Sequence, residues 1–212
     1  MLEFTLEKQY ESQGFRLICG TDEAGRGPLA GPVYAAAVIL PTDRPIEGLN
    51  DSKKLSERKR EELFDIICST ALCYSIQSAD VEEIDALNIL NASQLAMRRA
   101  VAALSVQPDL VLIDGNVSRG FKTPTVTVVK GDSISPNIAA ASILAKVARD
   151  RYCLQMDQAY PAYHFAAHKG YPTKEHKALL TELGPCPAHR KTFLKFLQKS
   201  HDQFNQKNRR SG

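Results

Sequence analysis

The chain has no tryptophan, three methionines and no Cys-x-x-Cys pair among its five cysteines. Cys19, Cys68, Cys73, Cys153 and Cys186 are scattered and odd in number, which argues against a disulfide framework and fits reduced thiols filling core space. No run of about 18 apolar residues occurs, and residues 1–14 are polar and acidic. Neither a membrane span nor a secretion signal is therefore expected, and the protein is expected in the cytoplasm. Two nucleotide-binding motifs are also missing. No Gly-Lys-Ser/Thr follows the glycine-rich stretch at 25–31, which excludes a mononucleotide P-loop. The Gly25-x-Gly27-x-x-x-Gly31 spacing runs into Pro32 and an apolar segment, where a dinucleotide fingerprint needs a helix.

What is present is organised around Asp22-Glu23-Ala24-Gly25-Arg26-Gly27. The acid pair lies between two apolar runs, 15–19 and 33–40, that read as strands of a buried sheet. The acids are therefore expected at a strand end. Successive strand residues face opposite ways, so Asp22 and Glu23 serve one site only if the backbone leaves strand geometry, a freedom that Ala24-Gly25 supplies. Neighbouring carboxylates at the rim of a sheet repel each other and take raised pKa values unless a cation lies between them, and a hard divalent metal is the usual answer. The alternative is a solvated acidic turn. The glycines leave bare backbone able to approach a ligand closely, and Arg26 carries a permanent charge suited to a phosphate or sugar edge. A hairpin turn with no ligand is the competing reading of that loop.

Two further segments repeat the pattern. The run 109–114 is an apolar strand ending in Asp114-Gly115, placed to face Asp22 if the two strands are parallel neighbours, because ligands of open α/β sheets bind at strand carboxyl ends. The run 123–130 reads as another strand, leading to Gly131-Asp132, with Asp132 either a site acid or a cap. A fourth strand is expected at 71–76. Helices are expected over 56–69, with Ser56 as cap and Leu63, Ile66 and Ile67 inward, and over 80–104, with Asp80 and Glu83 in a capping box and a break at 88–91. A long helix opens at Ser135-Pro136 and runs to about 160, followed by shorter ones at 173–183 and 191–200. The acids Asp80, Glu82, Glu83 and Asp85 are read as caps. Lys53, in the loop before the first of these helices, can swing onto a backbone phosphate, and Lys146 and Arg149 on the long helix can reach the same rim.

Charge is distributed unevenly. Residues 163–212 carry ten Lys/Arg against three Asp/Glu, a balance of +7, against −4 for the rest of a chain of net +3. A basic end and an acidic cluster suit a polyanion gripped at a metal site. All five histidines also lie in that stretch. His164, His168 and His176 invite a zinc reading, but Pro161, Gly170 and Pro172 argue against the helix it needs. Tyr171, flanked by Lys169 and Lys174, is better suited to stacking on a nucleotide.

Five blocks in order resemble ribonuclease HII, the bacterial type 2 ribonuclease H: 22–28, Asp51-Ser52-Lys53-Lys54-Leu55, Ile113-Asp114-Gly115-Asn116, Gly131-Asp132 with the small-residue helix after it, and His168-Lys169-Gly170-Tyr171-Pro172-Thr173. The resemblance covers about residues 16–195. It implies an α/β fold, a ribonuclease H-like mixed sheet flanked by helices with a helical C-terminal extension. The expected organisation is a polar segment at 1–14, a catalytic core at 15–160, a substrate-binding extension at 161–200 and a basic tail at 201–212. It further implies that Asp22, Glu23, Asp114 and Asp132 bind two Mg²⁺ or Mn²⁺ ions. Gly25, Arg26, Gly27 and Tyr171 would sense a 2′-hydroxyl, and Lys53 and Lys146 would contact phosphate or organise the site. The implied activity is hydrolysis of the RNA strand of RNA–DNA hybrids and incision 5′ to single ribonucleotides in duplex DNA, by a monomer, leaving 5′-phosphate and 3′-hydroxyl ends. A ribonuclease HIII-like activity on longer RNA tracts and a non-catalytic hybrid-binding protein are the alternatives.

Overall fold

A computed structural model describes residues 2–197. Its centre is one five-stranded sheet built from β1 (Ile18–Ala24), β2 (Val33–Ile39), β3 (Cys73–Ala79), β4 (Leu110–Asp114) and β5 (Thr125–Val128), in the order β3-β2-β1-β4-β5. The first three strands form an antiparallel meander, and β4 and β5 add in parallel to β1. The helices are α1 (Thr5–Glu11), α2 (Glu57–Thr70), α3 (Val81–Leu87), α4 (Ile89–Ala102), α5 (Pro136–Ala159), the single turn α6 (Phe165–His168) and α7 (Lys174–Leu183).

Strand alternation sorts the core. Cys19, Val33, Ala35, Ala37, Ile39, Val111 and Ile113 face one side, where Met97 and Val101 of α4 cover them. Ala36, Val38 and Leu40 face the other, against Ala139, Ala140, Ile143 and Leu144 of α5. Helix α5 is buried along most of its first half, and the small residues on both sides allow a very close approach. At Gly20 a β-carbon would lie 2.2 Å from the carbonyl carbon of Asn137, so only glycine fits. The buried Asn137 side chain then ties the layers together. Its amide nitrogen donates to the Ile18 carbonyl (3.0 Å) and its oxygen accepts from the Leu40 amide (2.8 Å).

Caps end most helices where local chemistry demands. Ser56, Ser135 and Thr173 each accept from the third residue of their helix, and Asp80 and Glu83 form a reciprocal capping box. Asp85 does not act as a cap. Its carboxylate accepts from the amides of Lys191 (2.9 Å) and Thr192 (3.0 Å), pinning the C-terminal segment. Segment 2–14 is also more than a polar leader: Phe4 is buried, and buried Glu7 accepts from the Ser135 hydroxyl at the start of α5 (2.5 Å).

Several boundaries differ from the sequence expectation. β1 runs on through the acid pair, because β2 continues to pair with it as far as Ala24↔Tyr34. The strand expected at 71–76 begins and ends later, and the one expected at 123–130 shortens to an edge strand of four residues, with Val129 exposed outside it. Ile66 is exposed; α2 buries Leu63 and Ile67 instead. The helix expected over 191–200 opens instead as a 3₁₀ turn, Lys191–Phe193, and is helical at 195–197; residues 198–200 of it lie outside the described residues, as does the tail at 201–212.

The Gly20 contact gives a direct test. Gly20→Ala forces backbone to move against backbone, and overpacking of this kind costs about 1–3 kcal/mol. The melting temperature is expected to fall by roughly 3–12 °C for a domain of this size, measurable by calorimetry.

Candidate active site

Parallel pairing of β1 with β4 places Thr21 opposite Ile113 and stops there. The next residues are Asp22 and Asp114, so the two acids emerge side by side at the carboxyl ends of adjacent strands. Beyond that point Asp22 to Ala24 pair only with β2, and the other edge of β1 opens into a cleft. Both Asp22 and Glu23 line this cleft, of about 230 Å³, together with Gly25, Arg26, Gly27, Lys53, Lys146 and Tyr171. Asp114 accepts the Gly131 amide at 2.7 Å, which holds the 3₁₀ turn Gly131–Ser133 beside it. Asp132 therefore sits in a turn past the end of β5, and is 8 % exposed.

The charge of Asp114 acts on the other three acids. Burial raises the Asp22 carboxyl well above the usual range, and the charges of Glu23 and Asp114 raise it further. Burial likewise raises Glu23; Arg26 opposes the shift through an ion pair at 3.2 Å, while Asp114 adds to it. Asp132 is raised by burial and then by Asp51 and Asp114, with Lys53 opposing. Asp51 is thus a fifth acid beside the cluster, which the sequence reading passed over as part of a loop before a helix.

The donor set consists of hard carboxylate oxygens that repel one another, the environment a divalent cation relieves. Among the described residues no three acid, histidine or cysteine side chains converge closely enough to enclose an ion by themselves. In Mg²⁺-type binding one or two carboxylates hold an ion whose shell is completed by water and phosphate oxygens. Asp22, Glu23, Asp114 and Asp132 fit that role.

The opposite wall carries the cations. Asp51 accepts the Lys53 amide (2.9 Å) and caps the turn Ser52–Lys54 that presents Lys53. The Ser52 hydroxyl meets Ser142 of α5 at 2.8 Å, and Arg60 donates to the Ser52 (3.0 Å) and Leu55 (2.6 Å) carbonyls. Arg60 also lies 3.6 Å from Asp150, which binds Lys146 at 2.6 Å. Lys146 is therefore oriented by Asp150 rather than free. Gly27 faces Tyr171 so closely that a β-carbon would sit 3.3 Å from the ring, and the ring is 44 % exposed toward the cleft. Arg149 also lines the cleft, though it is only 3 % exposed and lies beneath the glycine-rich loop.

The histidines anchor Tyr171 rather than a metal. His176 Nδ1 contacts the Tyr171 carbonyl (2.9 Å), its Nε2 meets His189 Nε2 (3.0 Å), and His189 Nδ1 accepts the Cys186 amide (3.0 Å). Only neutral rings satisfy this chain, with His176 donating to the carbonyl and His189 donating to His176. Burial lowers both pKa values, that of His189 to about 4. His164, by contrast, pairs with Glu175 at the surface (2.8 Å).

An acid-lined rim facing lysines and a glycine-floored wall, mounted on a mixed β3-β2-β1-β4-β5 sheet, defines a metal-dependent phosphodiester hydrolase of the ribonuclease H class. The family model for Ribonuclease HII matches residues 19–199, and the chain belongs to the ribonuclease HII family. It is 57 % identical to Ribonuclease HII 1 of Methylibium petroleiphilum, over 86 % of this chain and 92 % of that one. It is 53 % identical to the ribonuclease HII of Caldicellulosiruptor saccharolyticus, over 91 % and 94 %. The crystal structure of ribonuclease H2 from Pyrococcus horikoshii OT3 superposes with a TM-score of 0.72 at 24 % identity, covering 90 % of this chain and 99 % of that one, and shares the fold. The protein is accordingly an endoribonuclease acting on RNA–DNA hybrids.

The raised Asp22 carboxyl has a thermodynamic consequence with a definite sign. Its ionised form is disfavoured in the folded state, so it destabilises the metal-free protein above its folded pKa, and the penalty fades as pH falls toward 3.8, the ordinary value. In EDTA at pH 8, Asp22→Asn is expected to melt at a higher temperature than the parent, with the difference closing toward pH 4. Mg²⁺ is expected to raise the melting point of the parent more than that of the variant, measurable by calorimetry at the two pH values.

Proposed function

We propose that this enzyme incises duplex DNA on the 5′ side of a single embedded ribonucleotide as well as cutting the RNA strand of longer hybrids. We assign Asp22, Glu23, Asp114 and Asp132 to holding two divalent ions, Mg²⁺ or Mn²⁺. The observation that carries this reading is that the charge of Asp114 adds to burial in raising Asp22, Glu23 and Asp132 alike, at a strand-end rim beside the glycine loop and Tyr171. Ions bound there would activate a water and stabilise the leaving 3′-oxygen, giving 5′-phosphate and 3′-hydroxyl ends. The chain's own groups do the remaining work. Lys53 and Lys146 stand where a phosphodiester backbone enters and offset its charge. The 25–27 loop and Tyr171 form a narrow wall against the ribose, where a 2′-hydroxyl, both donor and acceptor, can be told from the hydrogen of DNA. Sites built to bond a hydroxyl can reject substrates lacking it by about 10⁴–10⁵.

The test is cleavage of a DNA duplex containing one ribonucleotide, beside a continuous RNA–DNA hybrid, in Mg²⁺ and in EDTA. Metal-dependent incision 5′ to the ribonucleotide is expected. Cleavage of the long hybrid alone would point to a type 3 activity instead. Asp114→Asn is expected to lower kcat by roughly 10²–10³-fold or more on both substrates, the scale on which removing one transition-state electrostatic group acts. Tyr171→Phe is expected to lose more on the single ribonucleotide than on the hybrid; equal losses would remove Tyr171 from the reading of the junction.

A further inference from the structure

Arg190 is fully buried, yet no carboxylate lies within ion-pair distance of it among the described residues. Its guanidinium is spent on backbone. It donates to the carbonyls of Gly25 (2.7 Å), Arg26 (3.1 Å) and Gly31 (2.8 Å), so three of its five N–H groups wrap the glycine-rich loop from beneath. Arg149, also buried, donates to the next carbonyl inside that loop, Ala30 (2.8 Å), and its Nε packs under Gly25. The chain around Arg190 is tied to the same loop: Arg190 N donates to the Leu29 carbonyl (2.9 Å), Gly31 N donates to Ala188 (2.8 Å), and Asp85 clamps Lys191 and Thr192. Burial and the neighbouring Arg149 lower the Arg190 pKa to about 9, which leaves it charged at neutral pH.

The geometry of the peptide unit turns this into a statement about the cleft. In a trans peptide the carbonyl of one residue and the amide of the next point in opposite directions. With the Gly25 and Arg26 carbonyls drawn inward to a buried guanidinium, the amides of Arg26 and Gly27 point outward, into the cleft lined by Tyr171. Neither amide donates to another group among the described residues. We infer that Arg190 is a positioning residue for substrate selection, which presents the Arg26 and Gly27 amides to the ribose 2′-hydroxyl by holding the opposite faces of their peptides. A lysine cannot replace it, since an ammonium lacks the planar fork that reaches three carbonyls at once. The inference rests on the junction-reading function proposed above.

The experiment compares Arg190→Lys and Arg190→Met with the parent on the two substrates. A loosened loop should lower kcat/KM on the single ribonucleotide by about 10- to 100-fold, the scale of a misplacement near 1 Å. The loss on a continuous hybrid should be much smaller, because every register there offers a 2′-hydroxyl. Equal losses on both substrates, or none on either, would overturn the inference and leave Arg190 a support of the fold. A second measurement does not depend on how the Arg190 variants fold. In the Asp114→Asn protein with Mg²⁺, amide exchange at Arg26 and Gly27 should slow when a duplex with one ribonucleotide is bound and not with an all-DNA duplex of the same sequence. Equal slowing by both duplexes would also overturn it. A parent enzyme that fails to incise the single ribonucleotide would instead remove the underlying function, so the two failures are distinguishable.

Discussion

The approach of α5 to β1 at Gly20 sets the position of nearly everything that follows. With no side chain between them, the helix axis is fixed relative to the strand that carries Asp22 and Glu23, and Asn137 locks the contact by bonding across β1 and the end of β2. Residues of one face of α5 then line up beneath the cleft at helical spacing. Ser142 holds the turn that carries Lys53, Lys146 and Asp150 form the next level, and Arg149 supports the glycine loop. A single helix thereby sets the spacing between acids, lysines and loop. A shift of α5 along the sheet would move all of these walls together.

Two opposite electrostatic arrangements meet along the stretch of chain from Asp22 to Gly31. The acids of the rim are drawn together without enough positive charge, and their raised protonation is the result. Behind the loop, Arg149 and Arg190 are buried without carboxylates and donate to carbonyl oxygens and a thiol, with Arg149 Nε left without a partner among the described residues. Neither is what folding alone favours, because an isolated buried charge is costly. The first leaves a deficit of positive charge that a cation can fill. The second fixes backbone dipoles and orients their amide ends toward the solvent side. Under the proposed function the two act together, cations cancelling the charge of a polyanion and amides inspecting its hydroxyl.

What the sequence made legible was local. Ser56, Asp80 with Glu83, Ser135 with Pro136, and Thr173 mark helix starts because capping is a matter of a few neighbouring atoms. The acid ending an apolar run placed Asp114 at a strand end for the same reason, and the mixed ribonuclease H-like sheet followed from the motifs. The features that escaped depend on partners distant in the chain. β1 extends past the acids because β2 pairs with it, and β5 is short at an outer edge with which no strand pairs among the described residues. Ile66 turns to solvent because α2 meets its neighbours through Leu63 and Ile67. Asp51 next to Asp132 and Asp85 on Lys191 are separated by 81 and 106 residues, and no local signal marks either. Arg190, in a basic stretch, is indistinguishable by type from solvated neighbours.

The parallel pairing of β1 with β4 carries a consequence for how the enzyme comes into being. Asp22 and Asp114 meet only after a segment of about 90 residues has closed between them, the kind of long-range contact that forms late in folding. The β1–β2 hairpin, by contrast, can assemble from neighbours in sequence. A chain emerging from synthesis therefore carries Asp22 and Glu23 in a local structure before their partners exist. The cleft is complete only with the final strands and with the C-terminal segment that braces the loop, so an unfinished molecule holds Asp22 and Glu23 without the groups that come to face them.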